Sequence, residues 1–288
     1  MRSKISSAIA ILVFVIIGSA NINAASQANE GGTWHDLSFG RIFVPDHLNL
    51  KNGHIDMLVH FHGSPRVVTR AVNKQQLNVA VVAVTLNGLS SAYKRPFTDD
   101  TDLFDRVLLE GLMCVKEVSA GGKELRIGRI GLSSFSAGFG AVREILKDSR
   151  YYQQIQSILM ADSIYAGYVK DGEKNVVNPN HMKDFRRFAK DAARGRKRFI
   201  VTHSYLAPDG YAGTHETADD LVAAVRKERE QVREELAENH VMISRLATGD
   251  LLVIGVEGND GKAHGLHLMH MGMWLGEMGF ETLAESTN

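Results

Sequence analysis

The segment Gly131-Leu132-Ser133-Ser134-Phe135-Ser136-Ala137-Gly138-Phe139-Gly140 has the residue types for nucleophilic chemistry. An apolar run leads into it and a helical pattern leaves it. Within it, Ser134 and Gly138 are the small residues two before and two after Ser136. A strand-to-helix turn sharp enough to expose a side chain requires small residues at those two positions. Such a turn presents the Ser136 hydroxyl as a nucleophile and aims the Ala137 N–H at the same spot. The positive end of the following helix favours an oxyanion there. Serine at position 134 meets the size requirement less fully than glycine. The plainer readings are a Gly/Ser-rich turn without chemistry or a phosphate cradle, and the P-loop spacing with its lysine is absent.

A nucleophilic serine needs a base, and the base needs an orienting acid. His264 stands in Glu257-Gly258-Asn259-Asp260-Gly261-Lys262-Ala263-His264, after the apolar run Leu251–Val256. His267 and His270 follow at helical spacing and belong to the last helix, whereas His264 is placed in the loop before it. Two acids compete. Asp162 abuts the apolar run Ile155–Ala161, where a carboxylate needs a partner. Asp209 lies in Pro208-Asp209-Gly210, a turn sequence that explains the residue without chemistry. Asp162 is therefore preferred. Glu216 reads as a helix cap. A further pair, His60 and His62 in His60-Phe61-His62-Gly63-Ser64, ends another apolar run. At i and i+2 they share one strand face, which admits a zinc site. Pro65-Arg66 then stand where a binuclear metal pattern would place Asp-His.

The elements that must position these residues alternate. Strands are predicted at 56–61, 79–86, 129–132, 155–161, 199–202 and 251–256. Helices are predicted at 104–118, 138–146, 181–193, 216–238 and 266–278. Nearly continuous apolar strands interleaved with helices predict a doubly wound α/β domain, a mostly parallel sheet covered on both faces. Ligands of such sheets bind beyond the carboxyl ends of the strands. Leu89–Tyr93 and Tyr165–Tyr168 follow strand ends and are expected to line the cleft.

The chain of 288 residues has 33 Lys+Arg and 33 Asp+Glu, so its formal net charge is zero. That balance gives no reason to expect nucleic acid or an anionic membrane surface as partner. The basic run Arg194–Arg198 reads as a solvated helix end. Arg2 and Lys4, then an apolar run from Ala8 to Gly18, then Ala20, Ala24 and Ala25, have the order of a secretory signal peptide. Residues 1–25 are thus expected to be removed, with export to the periplasm or outside the cell. The run is short of the about 20 apolar residues of a membrane span. The mature part, 26–288, is expected to be one domain with a loose start at 26–32. Cys114 is the single cysteine, so no internal disulfide forms, and its helical setting predicts a small buried hydrophobe.

Taken together, the Ser136 turn, His60–Ser64 and the His264 loop resemble the α/β-hydrolase superfamily, from about Arg41 to Leu275. The resemblance implies an eight-stranded, mostly parallel sheet and acyl transfer through an acyl-enzyme. It implies Ser136 as nucleophile, His264 as base, Asp162 as acid, and the Ser64 and Ala137 N–H groups as oxyanion donors. No cofactor is implied, and the expected partner is a small-molecule or acylated substrate. Two other readings remain, a non-catalytic binding protein of the same fold and a zinc-dependent hydrolase using His60 and His62.

Overall fold

A computed structural model describes residues 30–50, 53–119, 124–170 and 176–283. The segment expected to direct export lies outside the described residues. From Gly31 on, ten strands form one sheet: β1 (Gly32–Leu37), β2 (Gly40–Pro45), β3 (His54–Phe61), β4 (Ala80–Val84), β5 (Arg126–Phe135), β6 (Ile155–Ala161), β7 (Arg198–His203), β8 (Glu230–Ala237), β9 (His240–Thr248) and β10 (Leu251–Val256). Their order is β1-β2-β4-β3-β5-β6-β7-β10-β9-β8. The six central strands, from β4 to β10, run parallel. Antiparallel hairpins extend both ends. Every residue of β4 is buried, as a parallel strand covered on two faces requires.

The helices are α1 (Pro65–Lys74), α2 (Ser90–Asp99), α3 (Leu103–Val118), α4 (Phe139–Ile145), α5 (Ser149–Gln154), α6 (Pro179–Ala192), α7 (Thr214–Ala224), α8 (Gly261–His270) and α9 (Gly272–Leu275). One face of the sheet packs against α2 to α7, through side chains such as Tyr93, Phe104, Val142, Tyr151, Phe185 and Leu221. The other packs against α1 and the C-terminal helices through Val68, Val72, Met271 and Leu275. The structure is thus the doubly wound α/β sheet that the alternation of elements predicts.

It differs from expectation at four places. The sheet has ten strands rather than eight, because β8 and β9 add a hairpin beyond β10. Residues 216–238 are not one helix: α7 ends at Ala224 and 230–237 is a strand. The apolar residues there, Val232 and Leu236, are four apart. That spacing puts two side chains on one face in a helix and in a strand alike, so pairing with β9 decides. Residues 32–37, at the end of the expected loose start, form β1. Cys114 is only partly buried against the core, and burial together with Glu117 raises its thiol pKa. Among the described residues no helix is long and apolar enough to cross a membrane.

The α6 layer depends on aromatic filling. Phe188 is fully buried and its ring meets Phe199 of β7 edge-on, with centroids 5.4 Å apart. Phe188→Ala is expected to lower stability by about 3–5 kcal/mol, measured by urea denaturation. A loss below about 1 kcal/mol would show that this layer relaxes to close the cavity.

Candidate active site

Three strands end in the same unusual way. The first residue past β3, β5 and β6 is His62, Ser136 and Asp162, with φ of 69°, 46° and 45°. Left-handed backbone costs a non-glycine residue on the order of 1–3 kcal/mol and persists where surrounding structure enforces it. At Ser136 the enforcement is visible. The chain leaves β5, makes a 3-10 turn over Ser136–Gly138 and enters α4. A Cβ on Gly138 would overlap the Phe61 carbonyl oxygen, and one on Gly140 the Ser90 carbonyl oxygen. Glycine at these two positions lets the turn sit directly on β3 and α2.

Ser134, at the other small position, is fully buried, and its hydroxyl lies 2.5 Å from Ser163 Oγ. The Ser163 hydroxyl donates its one proton to the Ser136 carbonyl oxygen at 2.8 Å. Ser134 is therefore the donor to Ser163. The serine that replaces glycine in the turn thus belongs to a short chain of hydrogen bonds that fixes the nucleophile's own backbone.

Asp162 is fully buried. Its Oδ1 accepts from the Ser204 N–H at 2.8 Å and from the Thr214 hydroxyl. Its Oδ2 accepts from the Ser204 hydroxyl and from His264 Nδ1, each at 2.7 Å. Burial alone would raise the carboxyl pKa. The nearby His267 ring and the hydrogen bonds from His264 and Thr214 outweigh burial and hold it below the usual carboxylate range. An ionised carboxylate only accepts, so Nδ1 of His264 carries a proton, and in the neutral ring Nε2 is then the atom with the lone pair. The structure thus brings Asp162 and His264 together. Asp209 is exposed in its turn, as its Pro-Asp-Gly setting suggests.

His264 is not in a loop. It sits in the first turn of α8, which Asp260 caps by accepting from the Ala263 N–H at 2.8 Å. The apolar pattern marks the helix only from Leu266, so the polar first turn escapes a reading based on hydrophobic spacing. The His264 ring lies against Phe135, centroids 4.6 Å apart and planes 26° apart. Phe135 immediately precedes Ser136, and its ring also stacks with that of His62, centroids 6.0 Å apart. Among the described residues the Ser136 hydroxyl makes no hydrogen bond, to His264 or to any other group. Catalytic hydrogen bonds are often long before substrate binds.

Ser64 is exposed and stands at the N-cap position of α1, where its side chain makes no capping hydrogen bond. It follows two left-handed residues, His62 and Gly63. His62 lies past the end of β3, and its Nδ1 is 2.8 Å from the hydroxyl of buried Tyr93. The His60 ring stays in the sheet, with Nδ1 2.9 Å from Ser133 Oγ. The two histidines reach different partners and do not converge, because the chain turns at His62. Among the described residues no group of three or more His, Cys, Asp or Glu could hold a metal ion. Of the other expected cleft residues, Tyr165 packs beside Phe139 and Tyr211, and the Tyr168 hydroxyl donates to Glu216. Glu216 also accepts from the Gly213 N–H and so closes the start of α7. Sequence reasoning missed Ser163, Ser204 and Thr214, and it expected Tyr93 to line the cleft, whereas Tyr93 is fully buried and anchors His62. Ser204 was within reach, since it is the first residue past the carboxyl end of β7.

No family model matches the sequence, and no curated protein matches it. Solved structures with a similar arrangement include a dienelactone hydrolase-like promiscuous phosphotriesterase from metagenomic libraries, at 11% identity and TM-score 0.41, covering 84% of this chain and 92% of that one. A carboxylesterase from Bacillus subtilis has 9% identity and TM-score 0.39, with 84% and 87% covered. A puromycin-hydrolysing peptidase of Mycobacterium tuberculosis has 10% identity and TM-score 0.43, with 84% and 38% covered.

The site region is rich in buried imidazoles, which makes stability pH-dependent. Burial pushes His60 and His203 down to about 3 and His240 and His267 down to about 4. An unfolded chain takes up these protons near pH 6.5, whereas the folded one does so only near pH 3–4. The unfolded state thus binds more protons between those limits. Stability is expected to fall with pH from about 6.5 downward, by about 1.4 kcal/mol per pH unit for each such histidine. Asp162 adds a loss in the same direction below about pH 4, because its folded pKa is depressed. Urea denaturation at pH 7, 6 and 5 measures the slope. A flat profile over that range would mean that these rings are solvated in the folded state.

Proposed function

We propose that the chain is a serine hydrolase of the α/β-hydrolase type that cleaves carboxylic esters through an acyl-enzyme. The observation that carries this reading is the 2.7 Å contact of His264 Nδ1 with buried Asp162, beside the left-handed turn that holds Ser136. In the proposed mechanism, Ser136 Oγ attacks the ester carbonyl and its proton passes to His264 Nε2. The negative charge on the carbonyl oxygen is met by the N–H groups of Ala137 and Ser64. The tetrahedral intermediate collapses, the C–O bond to the leaving alcohol breaks, and His264 returns the proton to that alcohol. Water, deprotonated by His264, then attacks the acyl-enzyme; the bond to Ser136 Oγ breaks, the acid leaves, and His264 returns the proton to Ser136 Oγ. Asp162 stays ionised and stabilises the imidazolium at each transfer. An amide would follow the same steps with an amine as leaving group.

Fluorophosphonate labelling and turnover of p-nitrophenyl acetate test the reading. Ser136→Ala should abolish labelling while the fold persists. Asp162→Asn should lower kcat by about 10⁴, and Asp209→Asn should leave it close to wild type. His264→Ala should cost as much as Ser136→Ala, and the double variant little more, because such residues act as a unit. The unbonded Ser136 hydroxyl favours one rival, a binding protein of the same fold without catalysis. Wild-type protein that neither labels nor turns over any short ester would establish that rival.

Export is part of the proposal and rests on the order of basic, apolar and small residues before Ser26. N-terminal sequencing of protein recovered outside the cytoplasm should begin near Ala25 or Ser26. A chain that still begins at Met1 there would overturn cleavage.

A further inference from the structure

The chain is neutral overall, yet residues 179–198 hold eight lysines and arginines against two aspartates. The fold treats those cations in two ways. Arg186 pairs with Asp220, Arg196 with Asp191 and Arg198 with Asp250, and Lys197 donates to the Ile155 carbonyl. Lys183, Arg187, Lys190 and Arg194 are exposed, and among the described residues none of them is in an ion pair. They fall at i, i+4, i+7 and i+11, which is one face of α6 continued just past its end. At 1.5 Å per residue the row spans about 17 Å. The Arg187 guanidinium lies flat on the Tyr152 ring, 3.7 Å from its centroid, which holds it in the row.

The row borders a shallow, open depression of about 500 Å³ between the side chains of α6, from Pro179 and Asn180 to Arg194, with Arg186 and Asp191 also on its edge. A second, of about 440 Å³, shares Lys190 and Arg194 and continues to Arg226 and Lys227 beyond α7. Six exposed cations thus border these two adjoining depressions, a shallow basic trough. At its upper end the Asn178 N–H donates to the Gly167 carbonyl at 2.8 Å, so the trough begins beside the loop that leaves Asp162.

We propose that this trough binds an acidic polysaccharide, a flexible chain with carboxylate or sulfate groups spaced along it. Electrostatic complementarity and linear shape carry the assignment. A membrane surface fits less well, because none of the exposed large apolar side chains lines either groove, and interfacial binding needs an apolar face to bury. Single-stranded nucleic acid fits less well, because among the described residues no aromatic ring lines either depression for base stacking. A folded acidic protein would call for an apolar hot spot at the centre of the contact, and the trough has none. Binding here touches none of the residues proposed for catalysis, so it stands or falls independently of the hydrolase reading.

Fluorescein-labelled heparin serves as the probe, read by fluorescence anisotropy on the full chain. Binding should weaken by tenfold or more between about 50 and 200 mM salt, as counterion release requires. The double variant Lys183→Glu/Lys190→Glu should weaken it by at least tenfold at low salt. Lys74→Glu/Lys116→Glu, with the same change in net charge on α1 and α3, should stay within about twofold. Unchanged thermal melting shows that both variants fold, and labelling of Ser136 by the fluorophosphonate should be the same in all three proteins. Equal weakening in the two variants would overturn the proposal in favour of bulk charge. So would no binding at low salt, or tighter trough-dependent binding to phosphatidylglycerol vesicles or to a single-stranded oligonucleotide than to heparin.

Discussion

A buried carboxylate with four donors is the constraint around which the carboxyl end of this sheet is organised. Asp162 comes from β6. Its partners come from the end of β7, the first residue of α7 and the first turn of α8. Each oxygen takes two hydrogen bonds, which uses the acceptor capacity of an ionised carboxylate. Leaving any donor unmade would strand charge in the interior, at a cost of a few kcal/mol. Three chain segments that are far apart in sequence therefore have to arrive together, and His264 arrives with one of them. The tautomer of His264 follows from the same contact. His267 behind it sees the same anion, which favours its charged form, yet burial dominates and lowers its pKa to about 4.

Backbone strain is concentrated where the chemistry is proposed. Six non-glycine residues of the described chain have left-handed φ, and three of them are the first residues past parallel strands. A strand that ends in a left-handed residue turns its next side chain away from the sheet, into the space above the strand ends. Each case has its own restraint. At His62 the ring is tied to Tyr93, whose hydroxyl is itself held by both backbone groups of Leu86. Ser136 has the Ser134–Ser163 hydrogen bonds and two close-approach glycines. The backbone N–H of Asp162 donates to the Thr202 carbonyl at 2.9 Å. The strain is spread over three neighbouring strands and is held by groups that do not themselves react.

Much of this was legible in the sequence, and the reason is local. The Ser136 turn is written in consecutive residues whose sizes are dictated by one tight backbone path. Asp162 could be told from Asp209 because an acid at the end of an apolar strand lacks a local excuse, whereas Pro-Asp-Gly supplies one. The illegible parts are those set by pairing between distant segments. Val232 and Leu236 satisfy two periodicities, and only the register with β9 selects the strand. The first turn of α8 is polar and glycine-containing, so its helicity rests on the Asp260 cap rather than on hydrophobic spacing. The hydroxyls of Ser204 and Thr214 carry no signal of their own, since their meaning depends on a carboxylate that the fold delivers to them.

The β8–β9 hairpin, absent from the eight-stranded expectation, bears on the site from behind. His240, at the start of β9, is fully buried, and its ring lies 5.2 Å from that of His267 and 4.8 Å from that of His270. Both of those rings are on α8, one and two turns beyond His264. His267 is also 2.7 Å from the Thr202 hydroxyl of β7. The helix that carries the proposed base is thus fixed at three points: at Asp162 in front, at β7 beneath, and at β9 behind. Burial lowers the pKa of both His240 and His267 to about 4, so these two facing rings meet uncharged at neutral pH. The added hairpin thus packs, through His240, against the helix that carries His264.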